Sequence, residues 1–229
     1  MSLNDDLFRF FKADTLYEGI ICSKYIGSQY INAACMGFRI TTEAKIILTP
    51  YFETDTIKNL VEGKRFSINI SEDPTQYAKA ALHGWNKDAF EPEFDLSCYD
   101  HEKPFPILKY SSISIIAIVD SLSPYMKNGV LTGNQVNATP EHMIIQSVPR
   151  THSTREFPLI LEALISATRA KIARLKLNEP EKLYHYSIIG DVFTKLRRFS
   201  KDPLISDAIT IIKKWIKENI DDDFENQWE

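Results

Sequence analysis

Several short runs of apolar residues between residues 16 and 70 have the composition or the alternation typical of β-strands. Aromatic and β-branched residues over 16–25 predict a first strand, and a turn at 27–29 separates it from a second strand at 30–40. A third strand is predicted at 44–48, where Pro50 ends it because proline has no N–H group to donate. Further strands are predicted at 65–70, 94–99, 113–122 and 143–148.

A helical spacing of apolar residues follows the third strand and returns in the last third of the chain. Ile57, Leu60 and Val61 predict a short helix over 56–62, and Asp73-Pro74 is a typical start for a helix that runs to about residue 82. Beyond residue 149 the same spacing predicts three longer helices, at 157–175, 181–199 and 203–219.

The order of these elements predicts the fold class and the domains. About six strands with short connections, and with turn dipeptides at 128–129 and 133–134, favour a closed or nearly closed antiparallel β-barrel. We therefore predict an α+β protein with a barrel domain over 15–149 and a small C-terminal helical domain over 150–229.

Charge and composition argue against several kinds of binding partner. The formal net charge is -4, which argues against nucleic acid, since nucleic-acid binding needs a basic surface. No apolar run reaches the length of a membrane helix, and the chain has no pattern of a secretory signal. Its three cysteines have no metal-binding spacing. We predict a cytoplasmic protein with reduced cysteines, no metal site and no membrane partner.

The residues Thr54, Asp55 and Thr56 immediately precede the short predicted helix. The first N–H groups of a helix have no partner within the helix and lie at the positive end of its dipole, so this position binds phosphate readily. The hydroxyl groups would add donors, and Lys58 or Arg39 would add charge. The alternative is that Thr54 or Asp55 caps the helix and binds nothing.

Small residues are concentrated in the second predicted strand, in the sequence N-A-A-C-M-G that begins at Asn32. Alanine and glycine weaken a strand unless something has to approach its backbone closely. One interpretation is a flat ligand that lies against the backbone. The other is a crowded barrel interior that requires small side chains.

Arg150, His152 and Arg155 form a basic cluster at the predicted domain junction. The cluster could meet an anionic ligand, or it could form ordinary salt bridges at the start of a helix. The sequence leaves these two interpretations open.

Together these stretches resemble a known family. The spacings D-T-x-x-N-L from Asp55 and G-x-x-F-S-I-N-I from Gly63 are similar to the signature of the flavin reductase-like FMN-binding split-barrel family, and N-A-A-C-M-G resembles its flavin-binding strand. The segments at 73–82 and 150–169 resemble a narrower, mostly archaeal group with an appended C-terminal helical domain and no assigned reaction. The resemblance implies an antiparallel split β-barrel followed by that helical domain.

The resemblance also implies a cofactor and the residues that hold it. FMN would bind with its phosphate at Thr54–Thr56, its ring along the backbone of Cys35–Gly37, and its ribityl chain near Thr49. Where this chain has Cys35 the group commonly has proline, so a thiol would lie near a redox centre. The implied cofactor-binding residues are Cys35, Met36, Gly37, Thr49, Thr54, Asp55, Thr56 and Asn69, with Arg39, Arg150, His152 and Arg155 as further candidates.

Three functions stay open on this resemblance. The first is an FMN-dependent oxidoreductase of flavin reductase type that takes hydride from a nicotinamide donor or acts on a small-molecule substrate. The second is a non-catalytic flavin-binding protein for storage or sensing, and the third is an interaction protein whose barrel pocket is empty. Proteins of this family are typically homodimers with FMN at the subunit interface, so we also expect a homodimer. The sequence names no catalytic residue.

Overall fold

The computed structural model of the chain describes residues 2–82, 92–127, 129–148 and 156–220. Its strands are β1 Tyr17–Lys24, β2 Ile31–Ile40, β3 Ile46–Leu48, β4 Arg65–Ile70, β5 Tyr99–Asp100, β6 Ile107–Leu108, β7 Ile113–Lys127 and β8 Val130–Ile145. Its helices are α1 Leu3–Phe10, α2 Asp55–Gly63, α3 Pro74–Leu82, α4 Glu156–Leu175, α5 Glu179–Phe199 and α6 Pro203–Asn219. These elements confirm the predicted α+β class.

Six of the strands close into an antiparallel barrel, which confirms the predicted barrel. Their order is β1-β2-β3-β8-β7-β4, and β5 and β6 form a separate two-stranded sheet. The alternation of side chains explains the closure, because Phe66 and Ile68 of β4 point into a common core with Phe38 of β2. The helix α1 belongs to the same core: Leu7 is fully buried against it. The barrel unit therefore includes residues that precede the predicted boundary at residue 15.

Two strand predictions are wrong. The strand β8 is sixteen residues long and ends at Ile145, whereas the sequence predicts a strand at 143–148 and a turn at 133–134. Gly133 instead lies within β8 opposite Tyr125 of β7. The strand predicted at 94–99 is mostly a 3-10 turn, Leu96–Cys98, followed by the short β5.

The helical unit contains the three predicted C-terminal helices together with α3. Contacts divide the chain into one unit of Met1–Glu72 with Asn86–Arg150 and a second of Asp73–Trp85 with Thr151–Glu229. Within the second unit, the rings of Tyr77 and Phe157 meet edge to face with centroids 5.1 Å apart. The predicted domain boundary at residue 149 stays a prediction, and α3 joins the helical unit because it packs on α4 and α6. Among the described helices, none has the length and apolar composition needed to span a bilayer.

His185 gives the helical unit a predicted pH dependence. The side chain is 5% exposed, and its burial, assisted by the charge of Arg169, lowers the pKa of His185 below its ordinary 6.5. As the pH falls through 6.5, the unfolded chain binds a proton that the folded unit does not, so the free energy of unfolding falls.

We therefore expect amides of α4 and α5 to exchange hydrogen faster at about pH 5.5 than at about pH 7.5, after correction for intrinsic exchange rates. The variant His185→Leu should lose this dependence. An unchanged pH dependence in the variant would contradict the assignment to His185.

Candidate functional site: an open strand edge beside a helix N-terminus

The N–H and C=O groups of successive residues of β2 point alternately towards β1 and away from it. Only the groups that point away from β1 can bind a ligand at the other side of the strand. Tyr25 N–H donates to the Tyr30 carbonyl at 3.4 Å, which fixes the hydrogen-bonded pairs between β1 and β2. Ala33, three residues further along β2, donates its N–H group not to β1 but to the Glu93 carboxylate at 3.2 Å. By the same alternation, the N–H and C=O groups of Cys35 and Gly37 point away from β1.

Beyond Phe38 the strand β2 has β3 as its second neighbour, but before Phe38 it does not. The two strands pair over residues 38–40 and 46–48, and the next positions in register, Gly37 and Thr49, are not paired in the described structure. In the described part of the chain, no strand pairs with the segment 31–37 of β2 on the side away from β1. We call this segment the open edge.

After β3 the chain no longer pairs with β2, because it binds to β8 instead. Tyr51 forms an isolated bridge with Gly133, and Asn134 N–H donates to the Pro50 carbonyl at 3.0 Å. A Cβ atom on Gly133 would overlap the Pro50 oxygen and lie 3.1 Å from its carbonyl carbon, so glycine is needed for this close approach. The bridge to β8 accounts for the separation of the two segments and for the open edge.

Cys35, Met36 and Gly37 lie on this segment but differ in what they present. Cys35 and Gly37 have their backbone groups on the open edge, whereas Met36 pairs with Gly19 of β1 and packs its side chain against the barrel core. The structure therefore brings the backbone of Cys35 and Gly37, but not that of Met36, to the opening.

The Cys35 thiol lies on the outer face of the barrel wall. Burial, and to a lesser degree the neighbouring Glu18 carboxylate, raises the pKa of Cys35. The thiol therefore stays protonated near neutral pH. A protonated thiol is a poor nucleophile, so Cys35 has none of the electrostatic support that reactive cysteines need.

The start of α2 has both a capping side chain and unbonded N–H groups, which the sequence analysis treated as alternatives. Thr54 caps the helix: its hydroxyl accepts from Ile57 N–H at 3.4 Å and donates to the Tyr51 carbonyl at 3.1 Å. The N–H groups of Asp55 and Thr56, the first two of the helix, have no acceptor among the described residues. The cap leaves these two donors available to an anion.

The Asp55 carboxylate is held away from these donors by two neighbours. Tyr25 donates its phenol hydrogen to one oxygen at 3.1 Å, and Lys58 donates to the other at 3.2 Å. Its negative charge is thus partly balanced by a cation on the next turn of the same helix.

Thr56 belongs to a buried polar network that fastens α2 to the barrel. The Asn32 amide nitrogen donates to Thr56 Oγ1 at 3.0 Å and to Ser23 Oγ at 3.3 Å, and Asn59 donates to the same Ser23 oxygen at 3.1 Å. Thr56 is 3% exposed. The network fixes the position of the first turn of α2 relative to β1 and β2.

The remaining predicted site residues are placed differently. Asn69 is fully buried on the face of β4 opposite to Ile68, where its side chain donates to the Ile20 carbonyl at 3.2 Å and accepts from Leu108 N–H of β6 at 3.0 Å. Arg39 is exposed and pairs with β3, beyond the open edge. Thr49 is half-buried at one end of the opening. Arg150, His152 and Arg155 lie outside the described residues, and the cofactor contacts of all predicted residues stay predictions.

Sequence reasoning missed three contributors to this region: Asn32, Ser23 and Glu93. Asn32 and Ser23 look like ordinary strand residues, and Glu93 lies in the stretch E-P-E-F-D, where proline and acidic residues suggest a solvated loop. No local pattern identifies them, because each acquires its contact from a distant part of the chain.

Comparison with known proteins agrees with this fold. The model of the N-terminal domain of DUF447, a family described as proteins of unknown function, matches residues 17–140. The crystal structure of an FMN-bound DUF447 protein from Methanosarcina mazei matches 92% of this chain and 100% of its own, with 19% identity and a TM-score of 0.66. That likeness confirms the predicted barrel with an appended helical domain.

Two further solved structures match a smaller part of the chain. Nitrilotriacetate monooxygenase component B from Bacillus cereus covers 63% of this chain and 77% of its own, with 15% identity and a TM-score of 0.48. The styrene monooxygenase flavin reductase from Pseudomonas putida covers 58% and 83%, with 11% identity and a TM-score of 0.45.

Proposed function

We propose that this chain, which belongs to the DUF447 family, is an FMN-binding flavoprotein. The observation that carries the proposal is the open edge of β2 next to the N–H groups of Asp55 and Thr56, for which the described part of the chain offers no acceptor. A flat heterocycle with carbonyl and N–H groups matches a strand edge, and a phosphate matches a helix N-terminus. The likeness of the whole chain to an FMN-bound protein supports the choice of FMN among ligands of this shape.

The residues present fit such a cofactor. The N–H groups of Asp55 and Thr56 would donate to the phosphate, and the backbone of Cys35 and Gly37 would meet the ring. Thr54 supports the phosphate site indirectly, because its hydroxyl is already occupied as a cap. Lys58 would offset the repulsion between the Asp55 carboxylate and the phosphate.

The finer proposal is an oxidoreductase of flavin reductase type. Bound FMN accepts and donates hydride, so it would supply the chemistry for a nicotinamide donor or a small organic substrate. The chain's part is to hold the ring against a fixed backbone edge and to keep the neighbouring Cys35 thiol protonated, which prevents its addition to the ring.

A non-catalytic flavin-binding protein is the second candidate, and one observation favours it. From Ala33 to Gly37 the strand carries small or apolar side chains and one thiol whose pKa is raised by burial. This stretch therefore offers no side chain that exchanges a proton near neutral pH.

Two absorbance measurements on one purified sample distinguish the oxidoreductase from the non-catalytic flavin-binding protein. Absorbance after denaturation shows whether FMN is released, and the anaerobic addition of NADH or NADPH shows whether the flavin absorbance is bleached. We expect about one FMN per chain and bleaching. FMN without bleaching by either donor would favour the non-catalytic protein, and a chain that neither contains nor binds FMN would refute both flavin functions.

We further propose that the protein works as a homodimer in the cytoplasm. The hairpin of β7 and β8 and the loop after β3 expose large apolar side chains, a feature that typically indicates an interface. These residues are Tyr51 (60% exposed), Phe52 (40%), Leu122 (37%), Met126 (54%), Val130 (63%) and Leu131 (50%). The cytoplasmic location rests on the sequence alone.

Sedimentation tests the dimer. The chain has a mass of 26.3 kDa, and we expect the wild-type protein to sediment at about twice that value. Leu131→Glu should reduce the mass to that of one chain, because a buried unpaired carboxylate destabilises an interface. Leu183→Glu, an equally exposed site in the helical unit, is the control and should stay dimeric. A monomeric wild-type protein would contradict the proposal.

A further inference from the structure

Glu93 is a buried carboxylate in contact with the open edge. It is 8% exposed, and its Oε2 atom accepts the Ala33 N–H hydrogen at 3.2 Å. It therefore occupies one backbone donor of the edge whose next donors, Cys35 and Gly37, we assign to the flavin ring.

Among the described residues, the titratable groups that act on Glu93 are carboxyl, phenol and thiol groups, with no cation among them. Burial is the main reason that the pKa of Glu93 is raised, and the Asp55 carboxylate of α2 raises it further. The Tyr25 phenol after β1, the Cys22 thiol of β1 and the Tyr99 phenol of β5 are other titratable neighbours. Burial raises the pKa of each, and the Glu93 charge raises it further. Lys58 of α2 forms its ion pair with Asp55.

The carboxylate also lies next to the phosphate end of the candidate site. Consecutive residues of β2 make the two contacts: the Asn32 side chain binds Thr56 in the first turn of α2, and the Ala33 N–H binds Glu93. A phosphate at that turn would carry up to two negative charges. It would lie beside two carboxylates. Asp55 has a side chain that is 49% exposed, so solvent screens its repulsion, whereas Glu93 is buried and its repulsion of the phosphate is screened less.

We propose that Glu93 makes the binding of FMN proton-linked, so that the site takes up one proton at the Glu93 carboxyl when the phosphate-bearing ligand binds. This inference rests on the proposed FMN binding. The balance is simple: a carboxylate and a proton from solvent become a neutral carboxyl group, whose carbonyl oxygen still accepts from Ala33 N–H. The neutral acid keeps the strand contact and removes the repulsion.

The coupling between proton uptake and FMN binding determines how strongly the FMN affinity should depend on pH. Above the pKa of Glu93 in the free protein, uptake of one proton weakens binding by up to about tenfold for each pH unit. The FMN phosphate has its own second pKa of about 6. That titration is the same for every variant, so the difference between two variants isolates the protein group.

The test compares Glu93→Gln with Glu102→Gln. The glutamine at 93 imitates the neutral acid, and Glu102 is an exposed glutamate whose replacement makes the same change in net charge. FMN affinity is measured by flavin fluorescence from about pH 6 to about pH 9, and proton uptake is measured by calorimetry in buffers of different ionisation enthalpy.

We expect the wild-type protein and Glu102→Gln to lose affinity as the pH rises and to take up a proton. Glu93→Gln should bind at least as tightly at about pH 9, with a flatter pH dependence and no uptake. Equal slopes and equal uptake in all three proteins would overturn the inference while FMN binding stands. A Glu93→Gln protein that fails to bind while the control binds would also overturn it, because the neutral form must be competent. A wild-type protein that binds no FMN at any pH would refute the proposed function, and the inference with it.

Discussion

Replacement of Gly133 by alanine is expected to destabilise the barrel by about 1–3 kcal/mol and to weaken FMN binding about tenfold. The new methyl group would overlap the Pro50 carbonyl oxygen and lie 3.2 Å from Tyr51 Cα. These are backbone atoms, which cannot turn aside as a flexible side chain can. The bridge between Tyr51 and β8 would have to lengthen.

The loss of binding follows from the same displacement. The bridge holds the segment after β3 away from β2, so a displaced segment would move into the opening beside Cys35 and Gly37. Stability is measured by urea unfolding and affinity by flavin fluorescence.

Gly129→Ala is the matched control for this variant. Gly129 has a φ of 78°, and its added Cβ would meet nothing within 4 Å. We expect a cost of about 1–2 kcal/mol from left-handed strain and an unchanged affinity for FMN. Equal losses of affinity in both variants would mean that the bridge to β8 does not shape the site.

Thr56→Val is expected to weaken FMN binding by about tenfold or more and to destabilise the barrel by about 1–3 kcal/mol. Valine keeps the branched shape but removes the hydroxyl that accepts from the Asn32 side chain at 3.0 Å. The buried amide then loses one of its two acceptors, since Ser23 Oγ is the other. The first turn of α2 loses a hydrogen bond to β2, and its two free N–H groups lose their fixed position.

Thr168→Val in α4 makes the same chemical change in the helical unit. Its hydroxyl donates to the Ile165 carbonyl in its own helix at 2.9 Å, so the loss is local. Affinity for FMN should stay at the wild-type value. If Thr168→Val weakens binding as much as Thr56→Val, the phosphate is not held at α2.

Local patterns in the sequence predict most of the elements of the fold. The strand β4 alternates apolar with polar residues and the helices α4 to α6 have a helical period of apolar residues, whereas β1 is recognisable from its aromatic and β-branched composition. The strand β8 lacks such a period: from Val130 to Pro140 it mixes small and polar residues with glycine and proline. It is a strand because it pairs with β7 along nearly its whole length, and its pairing shifts register near Pro140.

The candidate site could be predicted in its parts but not in its geometry. Thr54 to Thr56 is recognisable as the start of a helix, and N-A-A-C-M-G as a strand of small residues. The open edge depends on where β3 stops pairing, which the contact between Tyr51 and Gly133 decides across some eighty residues of chain. Glu93 binds Ala33 although the two residues are sixty positions apart in the chain, and no local sequence pattern predicts such a contact.

The most direct test of FMN binding at the open edge is a titration of isotope-labelled protein with FMN, followed by the backbone amide resonances. We predict that the largest shifts occur at Cys35 and Gly37 and at Asp55 and Thr56, with saturation at about one FMN per chain. Shifts confined to the helical unit, or no shifts at all, would contradict the account.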